Sequence, residues 1–204
     1  LEGLFGPVYQ ATSSSELMAK GFLAKLKTDI VILKHPPQRF DTYKDEFEYL
    51  GLCEYRNKFI SNLACDLDGN VLCLFNWVEK HGLLLHEMVK QGAKKHNVHL
   101  IYGDTPVVER ERVRALCEET SNNIVVASYG TMSTGVNIKN LHHIVFASPS
   151  KSKIRVLQSI GRTLRKAKGK EVAKLYDIAD DFRKNGGREN FTLRHCAERI
   201  AYYV

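Results

Sequence analysis

Short runs of four or five largely apolar residues recur along the chain, most of them followed by a longer segment whose apolar residues fall at helical spacing. The runs are Val71-Leu72-Cys73-Leu74-Phe75, Val98-His99-Leu100-Ile101-Tyr102, Ile124-Val125-Val126-Ala127, His143-Ile144-Val145-Phe146-Ala147 and Val172-Ala173-Lys174-Leu175-Tyr176, and Asp29-Ile30-Val31-Ile32-Leu33 precedes them. Successive side chains of a strand point to opposite faces, so a strand that is apolar throughout must bury both. Such strands, separated by helices, predict an α/β fold with a mostly parallel sheet flanked by helices on both faces. Ligands of these sheets lie beyond the carboxyl ends of the strands, which directs attention to the loops after Phe75, Tyr102, Ala127 and Ala147.

The remaining segments divide around this pattern. Residues 1–28 read as a leading arm, with a short helix at Glu16–Lys20 stopped by Gly21. His35-Pro36-Pro37 ends the first strand, because proline lacks the ladder donor. Phe47, Leu50, Tyr55, Phe59, Ile60 and Leu63 supply buried helical faces over 41–65, with Gly51 dividing the region into two helices. Helices are also expected at Val78–Gln91, at Val107–Thr120 with Thr105 as N-cap, and at Ser152–Lys166. Asp180-Asp181 reads as a solvated helix start after the last strand. A Gly-Gly break then precedes Leu193, Cys196, Ile200 and Tyr203 on a C-terminal helix. The expected organisation is thus an arm over 1–28, an α/β domain over 29–182 and a helical extension over 183–204.

Composition narrows the partners. The chain begins at Leu1, not methionine, and is expected to be a piece of a longer protein. Nothing approaches the roughly 20 consecutive apolar residues of a membrane span. The net charge is +7, and from Lys151 to Lys170 there are eight Lys or Arg and no Asp or Glu. That excess permits nucleic-acid binding, although a basic run is also what a solvated helix face looks like. The five cysteines are spread singly without a C-x-x-C pair, so no zinc site is expected, and they read as small core residues in a reducing cytosol. The eight histidines show no metal-ligand spacing, and His142 and His143, adjacent on a strand, point to opposite faces.

One string carries chemistry. In Gln158-Ser159-Ile160-Gly161-Arg162-Thr163-Leu164-Arg165, placed on a helix, Gln158, Arg162 and Arg165 fall at i, i+4 and i+7 on one face. Leu157, Ile160 and Leu164 lie on another. Two guanidinium forks beside an amide form a planar donor array suited to polyphosphate. The plain alternative, an amphipathic helix with exposed arginines, fits an arbitrary pair of arginines better than it fits this complete string.

The string resembles motif VI of the superfamily 2 helicases, and other strings follow that family's order. Val71 to Val78 resembles motif IV. Ile101-Tyr102-Gly103-Asp104-Thr105, with Glu109-Arg110, resembles the strand, glycine turn and helix start that come next. Ile124 to Asn137, with Ser128-Tyr129-Gly130 and Ser133-Thr134-Gly135-Val136-Asn137, resembles motif V. Ala127-Ser128-Tyr129-Gly130, Lys139-Asn140-Leu141-His142-His143 and Lys151-Ser152-Lys153-Ile154 are similar to strings of the branched-DNA helicases of T-even bacteriophages. The resemblance covers about residues 70–180.

It implies the second RecA-like motor domain of an ATP-dependent DNA helicase. Arg162 and Arg165 would reach the γ-phosphate as arginine fingers, with Gln158, Gly135 and Asn137 near the nucleotide. Many relatives have Thr where this chain has Tyr129, so the hydroxyl for a nucleic-acid phosphate moves to Ser128. Backbone N–H groups of Gly103-Asp104-Thr105 would meet the tracked strand. Trp77, the only tryptophan, fits burial at a domain edge better than stacking on a base. No G-x-x-x-x-G-K-[ST] and no D-E-x-H or D-E-x-D box occurs. ATP and Mg²⁺ would then be held mainly by a first RecA-like domain of the same parent protein. Expected partners are that domain and DNA or an RNA–DNA hybrid, with no membrane, in the cytoplasm of an infected bacterial host. Three rivals stand beside this reading: a double-strand translocase of remodelling or restriction type, a non-enzymatic nucleic-acid-binding module, and an unrelated flavodoxin-like domain.

Overall fold

The computed structural model describes residues 24–134, 138, 140–150, 172–184, 187–201 and 203. Six strands form one sheet: β1 (Lys25–Lys34), β2 (Val71–Phe75), β3 (Asn97–Ile101), β4 (Asn123–Ser128), β5 (His143–Phe146) and β6 (Val172–Asp181). Their order is β1-β6-β5-β2-β4-β3, and all five neighbouring pairs are parallel. The described helices are α1 (Tyr43–Leu52), α2 (Glu54–Asp66), α3 (Leu83–Gly92), α4 (Val107–Glu119), α5 (Tyr129–Thr134) and α6 (Phe191–Ile200).

The two-sided burial inferred from the apolar runs is present residue by residue. Leu72, Leu74, Val125, Ala127, Ile144 and Phe146 feed one core, which Val113 and Cys117 of α4 and Tyr129 and Met132 of α5 close. Their neighbours Val71, Cys73, Phe75, Ile124, Val126 and Val145 feed the other, closed by Ile60 and Ala64 of α2 and Leu85 and Val89 of α3. Alternation along each strand thus fills both layers at once.

Several boundaries differ from the sequence reading, each for a physical reason. The α1–α2 break falls at Cys53, whose φ −67° and ψ 106° are extended, while Gly51 stays helical. A capping box between Thr42 and Asp45 starts α1. Tyr55, expected in the core, is 59% exposed. The helix expected from Val78 begins as a π-helical turn, Val78–Gly82, before α3. A Cβ at Gly82 would collide with the Phe75 ring, so glycine lets this turn lie against the end of β2. Cys73, Cys117 and Cys196 are buried as expected, but Cys53 and Cys65 are only half-buried.

The largest correction concerns Asp180-Asp181, which is the end of β6 and not a helix start. β6 continues five residues beyond Tyr176, pairing with β1 over ten residues from Lys25↔Val172 to Lys34↔Asp181. Asp177 and Asp180 are fully buried because arginines from helices reach them, as described below.

The helix α6 is tied down in an unusual way. Asn190 occupies its N-cap without a side-chain cap bond. The fully buried Glu46 of α1 accepts instead from the backbone N–H of Phe191 and of Thr192, both at 2.8 Å, and from the Thr192 hydroxyl and the Asn190 amide. A carboxylate thereby satisfies orphan donors at the positive end of a helix dipole from another element.

Candidate nucleic-acid and nucleotide face

The loops at the carboxyl ends of the strands assemble the site. After β3, Tyr102 and Thr105 close a turn: the Thr105 N–H donates to the Tyr102 carbonyl and the Tyr102 N–H to the Thr105 hydroxyl, both at 3.0 Å. Thr105 is therefore not the N-cap of α4; Pro106 takes that position, without a side-chain cap. Arg110 of α4 folds back, donating to the Gly103 and Thr105 carbonyls at 2.7 Å each. With the carbonyls engaged, the turn presents Gly103 and Asp104 outward: Asp104 is exposed, and a Cβ at Gly103 would meet nothing within 4 Å.

Asn76 and Trp77, after β2, border the same groove. Lys44, Asn76, Trp77, Lys80, Tyr102 and Asp104 are among the residues enclosing about 640 Å³ there. Trp77 is half-buried, edge-on to Phe47 at 4.7 Å between centroids, with the Lys80 ammonium 5.7 Å from its ring. That volume falls within the ordinary range of small-ligand pockets.

At the end of β4, Ser128 is buried, its hydroxyl sharing a 2.8 Å hydrogen bond with that of Thr131 and accepting the Thr131 N–H at 3.3 Å. It thus shapes the first turn of α5. Tyr129 reaches inward, its hydroxyl donating to the Ser148 carbonyl at 3.1 Å.

After β5, four residues run from Ala147 to Ser150, and buried or half-buried side chains from across the fold hold each of them. Arg56 of α2 donates through Nη1 to the Ala147 carbonyl while its Nε meets both Asp180 oxygens at 2.9 and 3.0 Å. His35 Nε2 lies 2.8 Å from the same carboxylate. Arg199 of α6 donates to the Ser150 carbonyl at 3.1 Å and clasps Asp177 at 2.7 and 2.8 Å, with the Tyr203 hydroxyl donating to Asp177 at 2.6 Å. Burial opposes the charge on Arg199, but the Asp177 hydrogen bonds and charge outweigh it and hold the guanidinium above its usual range. Burial, reinforced by Asp177, likewise pushes the Tyr203 phenol up.

Ser148 is held from several sides. Its N–H donates to the Leu74 carbonyl at 3.0 Å, its Oγ accepts the Asn76 N–H at 3.1 Å, and His81 Nδ1 lies 2.8 Å from that oxygen. Asn76 also donates through its amide to the Pro149 carbonyl at 3.4 Å. Burial first, and the Arg56 charge second, push the His81 imidazole down to about 3, so it is neutral at physiological pH.

Of the residues singled out in the sequence, Ser128, Gly103, Asp104 and Thr105 are described, and the groove joins the turn after β3 to the one after β2. Arg162, Arg165, Gln158, Gly135 and Asn137 lie outside the described residues. Sequence reasoning missed Arg56, His81, Ser148, Asp177, Asp180 and Arg199. The one available signal was Asp177-Ile178-Ala179-Asp180, carboxylates spaced among small apolar residues, which a solvated helix start does not need.

Residues 55–167 match the helicase conserved C-terminal domain family. The chain is 34% identical over 219 aligned residues to the ATP-dependent DNA helicase uvsW of Enterobacteria phage T4, across 99% of its own length and 43% of that relative's. Its fold matches the crystal structure of T4 UvsW with a TM-score of 0.73 and 32% identity, over 89% of this chain and 40% of that one. It also matches the ATP-dependent Type ISP restriction-modification enzyme LlaBIII bound to DNA, with a TM-score of 0.65 and 14% identity over 99% of this chain and 15% of that one, which shows the fold alone. The chain thus spans less than half of the helicase it matches. A parallel sheet covered on both faces, a groove at its strand ends and a family match over more than half of the sequence agree: this chain belongs to the helicase conserved C-terminal domain family, as a RecA-like domain similar to that of UvsW.

Proposed function

We propose that the chain is the second motor domain of an ATP-dependent DNA helicase acting on branched DNA in recombination and repair. The observation that carries this reading is the Q-x-x-G-R-x-x-R string at 158–165, inside the segment that matches the helicase family. Arg162 and Arg165 act as arginine fingers on the γ-phosphate of ATP held by a first RecA-like domain, with Gln158, Gly135 and Asn137 lining the cleft. Mg²⁺, when bound there, neutralises charge on the β- and γ-phosphates. Asp177 and Asp180 do not fit as its ligands, because each is already satisfied by a buried arginine. The exposed Gly103-Asp104 end of the turn after β3 contacts the DNA backbone, Thr105 and the buried Ser128 shape the turns behind that surface, and the groove beside Trp77 lies along the same face. Closure on ATP and opening after hydrolysis move the two domains along the strand. The setting is the cytoplasm of an infected bacterium; among the described residues no helix is long and apolar enough to cross a membrane.

The test is steady-state ATPase of the full-length protein with DNA present. Arg162→Ala and Arg165→Ala should each cut turnover by about 10³-fold, the lower end of the arginine-finger range. Nucleotide affinity and melting temperature should hold, because the fingers act on the transition state. Lysine should rescue poorly, since an ammonium cannot reproduce the planar fork. Near-normal kcat in both alanine variants would overturn the reading.

A further inference from the structure

We propose that Ser148 is a positioning residue that couples the DNA-facing turns to the arginine-bearing segment, an inference that rests on the function proposed above. The hydrogen-bond network fixes the direction of every proton around it. Asn57 donates its amide to the Gly51 carbonyl at 2.8 Å, so its Oδ1 is the atom facing His81 Nε2 at 3.0 Å. An amide oxygen only accepts, so Nε2 carries the proton of the neutral imidazole and Nδ1 is left as an acceptor. The Ser148 hydroxyl therefore donates to His81 Nδ1, and its oxygen is free to accept the Asn76 N–H. Each bond in this chain polarises the next in the same sense, and the whole is shielded from water, with Asn57, His81 and Ser148 no more than 1% exposed.

Three elements of the DNA face converge on this one residue. The turn after β2 reaches Ser148 through Asn76, whose neighbour Trp77 lines the groove. The segment after β4 reaches it through Tyr129, next to Ser128. The π-helical turn, which Gly82 allows to lie against Phe75, delivers His81. π-turns inside helices recur at functional sites because the extra residue re-aims a side chain, and here that side chain is His81. On the other side, Ser148 is ten residues before Gln158. The flanking carbonyls of Ala147 and Ser150 are held by Arg56 and Arg199, so Ser148 sits on a braced link from which the chain runs on toward Gln158, and its bonds help set where that segment starts.

The experiment compares ATPase with and without DNA in the full-length protein carrying Ser148→Ala, which cuts the Asn76 and His81 arms, or Tyr129→Phe, which cuts the third arm without changing shape. For Ser148→Ala we expect basal turnover and DNA affinity within twofold of the parent and a DNA stimulation reduced at least tenfold; Tyr129→Phe should show the same split to a smaller degree. Loss of basal and stimulated turnover in equal proportion would overturn the proposal, as would full stimulation in both variants. If Ser148→Ala fails to fold, Tyr129→Phe decides by the same two outcomes. Arg162→Ala run in parallel separates the two readings: if it hydrolyses ATP normally, the functional assignment has failed and the coupling role falls with it. If it is inactive while Ser148→Ala keeps full stimulation, only the coupling role is overturned.

Discussion

Replacing Asp180 by alanine removes the carboxylate that holds the Arg56 guanidinium, and both side chains are 0% exposed. The arginine cannot swing out to water, because its Nη1 is bound to the Ala147 carbonyl beneath the sheet end and His35 covers the same site. A buried charge left without its partner costs about 3–5 kcal/mol. For a chain of this size each kcal/mol lowers Tm by about 2–4 °C, so the expected loss is roughly 6–20 °C. Asp181 supplies the internal control. Its partner Arg183 is 38% exposed and hydrates on release, so Asp181→Ala should cost no more than about 1 kcal/mol. The double change Arg56→Met/Asp180→Leu should regain most of the loss, since a well-packed apolar pair replaces a buried ion pair with little penalty. Thermal and urea unfolding followed by circular dichroism reads all three variants. Equal, small losses at positions 180 and 181 would show that the buried pair at the end of β6 does not exist as described.

Other outcomes follow from the same structure. His81 is depressed to about 3 in the folded chain against an ordinary value of 6.5, so the unfolded chain takes the proton first as pH falls. Stability from this residue is present above pH 6.5 and is lost between about 6.5 and 3, by up to about 1.4 kcal/mol per pH unit, and His81→Asn should flatten that part of the urea-unfolding profile. The 204-residue chain alone should hydrolyse ATP at background rate, because it contains no Walker A or acidic box; robust Mg²⁺-dependent, DNA-stimulated turnover would refute this. Binding of the chain to DNA should be weak, indifferent to sequence and steeply salt-dependent, as counterion release by backbone contacts requires; fluorescence anisotropy that survives high salt would count against it.

The parallel sheet was legible because burial on both faces leaves a run of apolar residues that few other structures need. β2, β4 and β5 fill both cores from consecutive residues, and the reading placed them within one or two residues. The end of β6 was not legible, because its burial depends on Arg56 and Arg199, one 124 and the other 22 residues away from its carboxylate partner. Without those partners, Asp-Asp reads correctly as a surface feature. The turn after β3 was visible as Gly-Asp-Thr, but its brace by Arg110 was not, since helical spacing says nothing about a side chain that folds backward. Ser148 carried no signal in the sequence: its role comes from His81, 67 residues earlier, and from Asn76, 72 residues earlier.

The pairing of β1 with β6 sets the order in which this domain can be completed. The two strands join over ten residues, yet the second is made about 150 residues after the first, so a large loop must close before a single bond of that ladder forms. At about 5–20 residues per second, β1 emerges from the ribosome roughly 7–30 s before its partner. β1 is an edge strand whose only described neighbour is β6, and Ile32 is half exposed even in the finished fold. Until β6 arrives it is an unpaired strand of the kind that invites association between chains. Its lysines, Lys25, Lys27 and Lys34, place charge on that edge during the wait. In pulse-labelled refolding, β1 amides should gain protection together with those of β6 and after those of β2 and β4; earlier protection of β1 would mean that some other segment shelters it first.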